Sequence, residues 1–185
     1  MKPVRREEIM PLDAYQASRD EIRKGILQAK ARRRVSAGAL TFLFENTATI
    51  RYQIQEMVRA EHMTREADIA HELETYNELL GGKGELGVSL LIEVPDPEER
   101  DRRLREWLDL PGHLYLRLQG GEKVRPRFDP RQVGTDRLSS VQYLKFDVHG
   151  EVPVAAGSDL PGFTVETILG PEQRKALGDD LGSDA

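Results

Sequence analysis

The chain has 185 residues, 38% apolar and 32% charged, with a net charge of −5: enough apolar material for one hydrophobic core, too little length for two full domains. No apolar run approaches the roughly 20 residues of a bilayer helix, and the opening Met1–Glu8 holds no apolar signal stretch, so no membrane insertion and a cytoplasmic location are expected. Cysteine is absent, which excludes disulfides, Cys-type zinc fingers, iron-sulfur ligation and thiol catalysis by this chain's own residues.

Read in chain order, residues 1–15 form an arm ending in a short helical turn. Ser18-Arg19-Asp20-Glu21 has the form of a capping box, which places a helix start at Ser18, with Ile22, Ile26, Ala29 and Arg33 following at helical spacing. The basic run Lys30, Arg32, Arg33 and Arg34 falls at the end of that helix, where cations offset the macrodipole. Leu40–Phe44 is rich in strand formers. Asn46 or Thr47 then caps a helix carrying Ile50, Ile54, Met57 and Val58, and a second helix follows with Ile69, Leu73, Tyr76 and Leu80, so the pair makes a helical hairpin closed by Gly81, Gly82 and Gly84. Strands are predicted near residues 35–44, 85–94, 113–119 and 139–148, with a fifth at 122–128 confined to a sheet edge by Pro126. Asp96-Pro97-Glu98-Glu99 starts a helix over 97–109 that buries Leu104, Trp107 and Leu108. The expected fold is α+β: a four- to five-stranded, mainly antiparallel sheet with the helical hairpin and the basic first helix packed mainly on one face. Residues 1–149 form the single domain, and 150–185 read as a Gly/Pro-rich acidic extension, largely disordered.

Charge is segregated along this order. Residues 1–34 carry 10 basic and 5 acidic side chains, 45–80 carry 3 and 8, 111–149 carry 7 and 4, and 150–185 carry 2 and 7. Alternation of this kind serves internal pairing of a basic helix with an acidic hairpin, and the negative total weighs against nucleic acid. Arg117, Lys123, Arg125, Arg127 and Lys145, with Tyr115 and Tyr143, could still share one sheet face in the manner of an RNA-binding surface.

Gly81-Gly82-Lys83-Gly84 leaves a helix and enters a strand, the reverse of a phosphate loop, and no Ser or Thr follows the lysine. In the acidic hairpin, Asp68 and His71 form the one Asp-x-x-His spacing and point away from the apolar stripe, so a solvated face is expected there rather than a di-metal core. No metal or other cofactor is expected. Glu61 falls in line with Ile50, Ile54 and Met57, and Asn77 lies beside Leu73 and Leu80. Polar groups on such stripes require hydrogen-bond partners, and Arg33 is the expected partner of Glu61 or Glu56.

Arg32-Arg33-Arg34-Val35, Leu43-Phe44-Glu45-Asn46, Gln53–Met57 with Arg59 and Glu61, Glu74–Leu79, Ile92–Asp96 and Ser140–Phe146 together resemble a bacterial domain-of-unknown-function family, number three thousand five hundred and one. The resemblance spans about residues 1–149. It implies a redox or peroxide-defence setting, because members are often encoded beside a rubrerythrin and an iron-sulfur oxidoreductase of the heterodisulfide-reductase type. The family pattern includes Gln55, Glu56 and Asn77 but not His62 or His71. Two functions follow as expectations: a cofactor-free accessory partner of such a redox system, or an enzyme or small-molecule binder with a polar site built from Arg33, Gln53, Glu56, Glu61 and Asn77 between helices and sheet.

Overall fold

The computed structural model describes residues 1–182. An arm with one 3-10 turn at Arg6–Glu8 leads through Pro11 into α1 (Leu12–Ala31). The helix thus begins well before the expected Ser18. Proline fixes the backbone ahead of the first turn, and Ser18 lies inside the helix, its hydroxyl donating to the Ala14 carbonyl at 2.9 Å. Helix α1 ends before Arg33, which therefore sits in the link to β1 (Arg34–Ala37). The predicted strand at 35–44 is a hairpin. β1 turns at Gly38, whose φ of +59° suits glycine, and returns as β2 (Leu40–Glu45).

Asn46 caps α2 (Thr47–Ala60), accepting from the Thr49 amide while the Thr49 hydroxyl accepts from the Asn46 amide. Then come α3 (Glu66–Asn77), β3 (Glu85–Ile92), α4 (Pro97–Glu106) with its expected Asp96 cap, and a short α5 (Leu110–His113). The remaining elements are β4 (Leu114–Arg117), β5 (Lys123–Val124), β6 (Val141–Asp147), β7 (Ala155–Leu160), β8 (Phe163–Ile168) and α6 (Pro171–Gly182).

The strands are antiparallel throughout, as expected, but they form two sheets of four instead of one of four or five: β1-β2-β3-β6 and β5-β4-β7-β8. The second sheet exists because residues 155–182, expected to be largely disordered, are built into the fold. β7 inserts between β4 and β8 and buries Ala155, Ala156 and Leu160, while α6 buries Leu177. Glycine, proline and acids in that segment mark turns at a sheet rim, a pattern that composition alone does not separate from disorder.

Both sheets contribute to one apolar core. Phe42, Phe44, Leu86, Leu90, Leu144 and Phe146 come from the first, Leu114, Leu116 and Ala156 from the second, Leu104, Leu110 and Leu177 from the helices, and Trp107 from the residue that ends α4. Trp107 stacks on Phe163 with ring centroids 4.1 Å apart. A second apolar cluster joins α2 and α3 (Ile50, Ile54, Val58, Ile69, Leu73) to Val4 and Ile9 of the arm. The turn after α3 lies directly on the outer face of the first sheet, where Gly87 is required because a Cβ there would come 2.0 Å from the Leu79 carbonyl oxygen. The predicted edge strand 122–128 serves both sheets. β5 pairs with β4, and beyond Pro126 the backbone of Arg127 exchanges hydrogen bonds of 2.7 and 2.9 Å with Lys145 of β6. No helix among the described residues is long and apolar enough to cross a membrane.

Candidate functional site

The five residues read as a polar site between helices and sheet do not converge. Arg33, buried at 9% exposure, forks onto Asp180 of α6 with bonds of 2.6 and 2.8 Å, and the Asn46 side chain donates to the same carboxylate at 3.0 Å. The expected Arg33 to Glu61 or Glu56 pair is therefore absent. Glu61 is the exposed C-cap of α2: the helix ends one residue earlier, so helical spacing no longer governs where its side chain points.

Glu56 does join the hairpin to the first helix, through a different partner. Arg19 grips it with bonds of 2.8 and 2.9 Å, the Tyr15 hydroxyl donates at 2.6 Å, and Arg59 adds two longer bonds. Arg19, aided by Tyr15 and Arg59, holds the Glu56 carboxyl down from 4.5 to about 2, whereas burial, with Glu56 beside it, pushes the Tyr15 phenol up. A carboxylate so strongly committed to its charged form is a poor proton shuttle near neutral pH. Asn77 spends its side-chain amide on the arm, accepting from the Val4 amide at 2.8 Å and donating to the Val4 carbonyl at 2.9 Å. Gln53, like Glu61, is exposed, and it lies beside the Tyr76 phenol.

The basic and aromatic residues expected on one sheet face are divided between two. On the second sheet, Lys123, Arg125 and His113 Nδ1 approach Asp159 at 3.1, 2.6 and 3.3 Å, while Arg117 and the Tyr115 hydroxyl bind Glu166 at 2.8 and 3.0 Å. Arg125 first, with Lys123 and His113, holds the Asp159 carboxyl well below its ordinary range. Burial and Glu166 push Tyr115 up to about 12. The arginines of this face are thus occupied by acids of β7 and β8, strands formed by the segment expected to be an extension. Among the described residues, no group of three or more His, Asp or Glu side chains is placed to hold a metal ion.

Arg127, Lys145 and Tyr143 lie instead around a cleft of about 570 Å³ between α3, the outer face of β6 and the strap 127–132. Alternation along β6 sends Leu144 and Phe146 into the core and Tyr143 and Lys145 outward. The strap is fixed by Gln132, whose side-chain amide accepts from the Tyr143 N–H at 2.7 Å and donates to the Tyr143 carbonyl at 3.1 Å, completing the edge of β6 as a neighbouring strand would. Arg127 is held by Glu85. Tyr76, Leu79, Phe128 and Tyr143 supply apolar surface, and burial raises the Tyr76 phenol above its ordinary value. Tyr143 is 43% exposed, and Lys145, Glu72 and Glu78 enter no ion pair among the described residues, so the cleft offers one cation and two carboxylates not committed to internal pairs. Sequence reasoning places Tyr143 and Lys145 outward but holds no signal that the strap and α3 wall them in. It also misses Asp180, Arg19 and Tyr15 as partners.

The family described as "Protein of unknown function (DUF3501)" matches residues 3–181. It therefore takes in the segment beyond residue 149 that the sequence resemblance leaves outside. A crystal structure of a novel protein of unknown function from Burkholderia pseudomallei K96243, at 1.90 Å resolution, superposes with a TM-score of 0.88 at 27% identity, covering 97% of this chain and 100% of that one. No curated protein matches the sequence. The chain belongs to the DUF3501 family.

Proposed function

We propose that this DUF3501 protein is a cofactor-free accessory protein that binds a partner through the cleft between α3 and the first sheet. One observation carries the reading. Arg33, Glu56 and Asn77, the buried or half-buried polar groups of the expected site, are consumed by internal bonds, whereas Tyr143, Lys145 and Glu72 of the cleft remain available to a ligand. Exposed aromatics flanked by uncommitted charges are the surface chemistry of partner recognition. The redox setting that the family implies points to a rubrerythrin or a heterodisulfide-reductase-type iron-sulfur protein as partner, in a cytoplasmic response to oxidative stress.

The test is affinity purification from native cells with the wild-type chain and with Tyr143→Glu. The expected result is a stoichiometric redox partner with the wild type, reduced at least tenfold by the variant. Equal recovery of that partner by both would remove the cleft from the reading, and no redox partner with either would remove the redox assignment. The second function, a small-molecule site in the same cleft, draws support from its volume, which falls within the roughly 300–1,000 Å³ of ligand pockets. Native mass spectrometry separates the two, because a bound metabolite adds a few hundred daltons at most, as an order-of-magnitude figure, where a protein partner adds a whole chain.

A further inference from the structure

The groove between α2 and α3 is occupied by residues 1–10 in the way a receptor holds an extended peptide. Two side-chain amides clamp the arm's backbone: Asn77 bonds both the N–H and the carbonyl of Val4, and Gln55, itself buried, accepts from the Met10 N–H at 2.8 Å and donates to its carbonyl at 3.1 Å. Between the clamps, Val4 and Ile9 are buried at 3% and 4% exposure against the α2 and α3 stripe. Charge is matched as well. Arg6 binds Glu66 with two bonds of 2.7 Å, and Glu8 faces Arg51 at 3.3 Å. The Thr47 hydroxyl donates to the Lys2 carbonyl at 2.6 Å, and the Met1 amino group donates to the Gly81 carbonyl at 2.9 Å.

Every one of these partners lies on α2, α3 or the turn after α3. The arm is joined to the rest of its own chain through Pro11, which biases Met10 toward extended backbone and directs the arm away from α1. Helix α1 in turn buries one residue of twenty, Tyr15. Helix α1 is held on α2 by Tyr15 and Arg19 at Glu56, so the arm can leave its seat by turning at Pro11 without undocking α1, and a short element hinged in this way is one that copies can exchange.

We infer that the α2/α3 groove accepts the residue 1–10 arm of a second copy of this chain, giving an arm-exchanged dimer in equilibrium with the closed monomer. The second copy is the partner this geometry specifies, because the groove's clamps, two aliphatic seats and two charge positions are satisfied by this arm sequence. The chain's own arm competes at high effective concentration, so the exchanged form grows with protein concentration.

The absence of cysteine makes the test direct. Full-length Lys2→Cys and Thr47→Cys chains are mixed, equilibrated at high concentration, and joined with a short thiol-to-thiol linker. The expected product is a heterodimer linked between position 2 of one copy and position 47 of the other. Its yield rises with concentration and falls at least tenfold when the Lys2→Cys chain also carries Val4→Asp, or when a synthetic peptide of residues 1–10 is added in excess. Crosslinks formed solely within the Lys2→Cys, Thr47→Cys double variant, with none between copies at any concentration, would overturn the inference. So would heterodimer yield indifferent to both Val4→Asp and the peptide. Hydrogen exchange on the unmodified chain gives an independent reading: the Val4 and Met10 amides must open at least tenfold more often than those of the β2–β3 ladder, and equal protection would mean an arm that never leaves its seat.

Discussion

Removing the Asp180 carboxylate tests whether α6 is an integral part of the fold. Asp180 and Arg33 are 7% and 9% exposed, and the fork between them has two bonds, of 2.6 and 2.8 Å. Asp180→Ala leaves a buried guanidinium without its counter-charge and strips the Asn46 side chain of one acceptor. Breaking a buried pair from one side costs about 3–5 kcal/mol. For a chain of this size each kcal/mol moves the melting temperature by about 2–4 °C, so a fall on the order of 10 °C is expected by calorimetry or circular dichroism. The neighbouring Asp179 supplies the control, since its carboxylate pairs with Lys175 in solvent and Asp179→Ala should leave the melting temperature unchanged. Replacing both partners, as Arg33→Met with Asp180→Leu, should recover most of the loss, because an apolar pair of similar volume carries no desolvation penalty. Equal small shifts for Asp179→Ala and Asp180→Ala would refute the reasoning and return α6 to the status of a loosely attached tail.

Glu56, with its carboxyl lowered from 4.5 to about 2, stabilises the folded state above pH 4.5, and that contribution disappears as pH falls from 4.5 toward 2. Acid titration of stability should accordingly be shallower over that window in Glu56→Gln than in the wild type; parallel curves would show the carboxylate equally solvated in both states. Gly87→Ala should abolish folding or detach the turn after α3, since its Cβ would collide with the Leu79 carbonyl, and soluble expression with thermal melting will show it. Gly25→Ala, in the exposed middle of α1 with nothing within 4 Å of the new methyl, should instead raise stability by about 0.5–1 kcal/mol, read from the denaturant midpoint.

Much of the fold is legible wherever a local signal acts alone. The Asn46 and Asp96 caps, the apolar stripes of α2 and α3, the break at Pro126 and the inward and outward alternation of β6 all depend on neighbours within a few residues. Partner choice is not legible. The need for a partner at Asn77 follows correctly from its place beside Leu73 and Leu80, yet the group that meets that need is a backbone 73 positions away. Arg33 is assigned an acid of the hairpin because the acid it binds lies in a segment whose composition resembles disorder. The cleft is invisible for the same reason: Tyr143 and Lys145 can be placed on an outer face, but the strap that encloses them is anchored by Gln132, a surface-type residue with no periodicity to mark it.

The late position of β7 in the chain sets the earliest point in synthesis at which the second sheet can close. The first sheet needs nothing beyond residue 147, but the second places residues 155–160 between β4 and β8, so β4 has only the two-residue β5 beside it until that late segment arrives. Arg33 must then wait for an acid 147 positions further along, and Asn46 for the same acid 134 positions away. Closing loops of that length is entropically costly before any contact compensates for it, and folds dominated by such pairings are slow. During synthesis the strands of the first sheet and the α2/α3 hairpin are all present before residues 155–160 exist, and over that interval Leu114 and Leu116 of β4 have no β7 beside them. A nascent chain paused before residue 155 would present those leucines to chaperones.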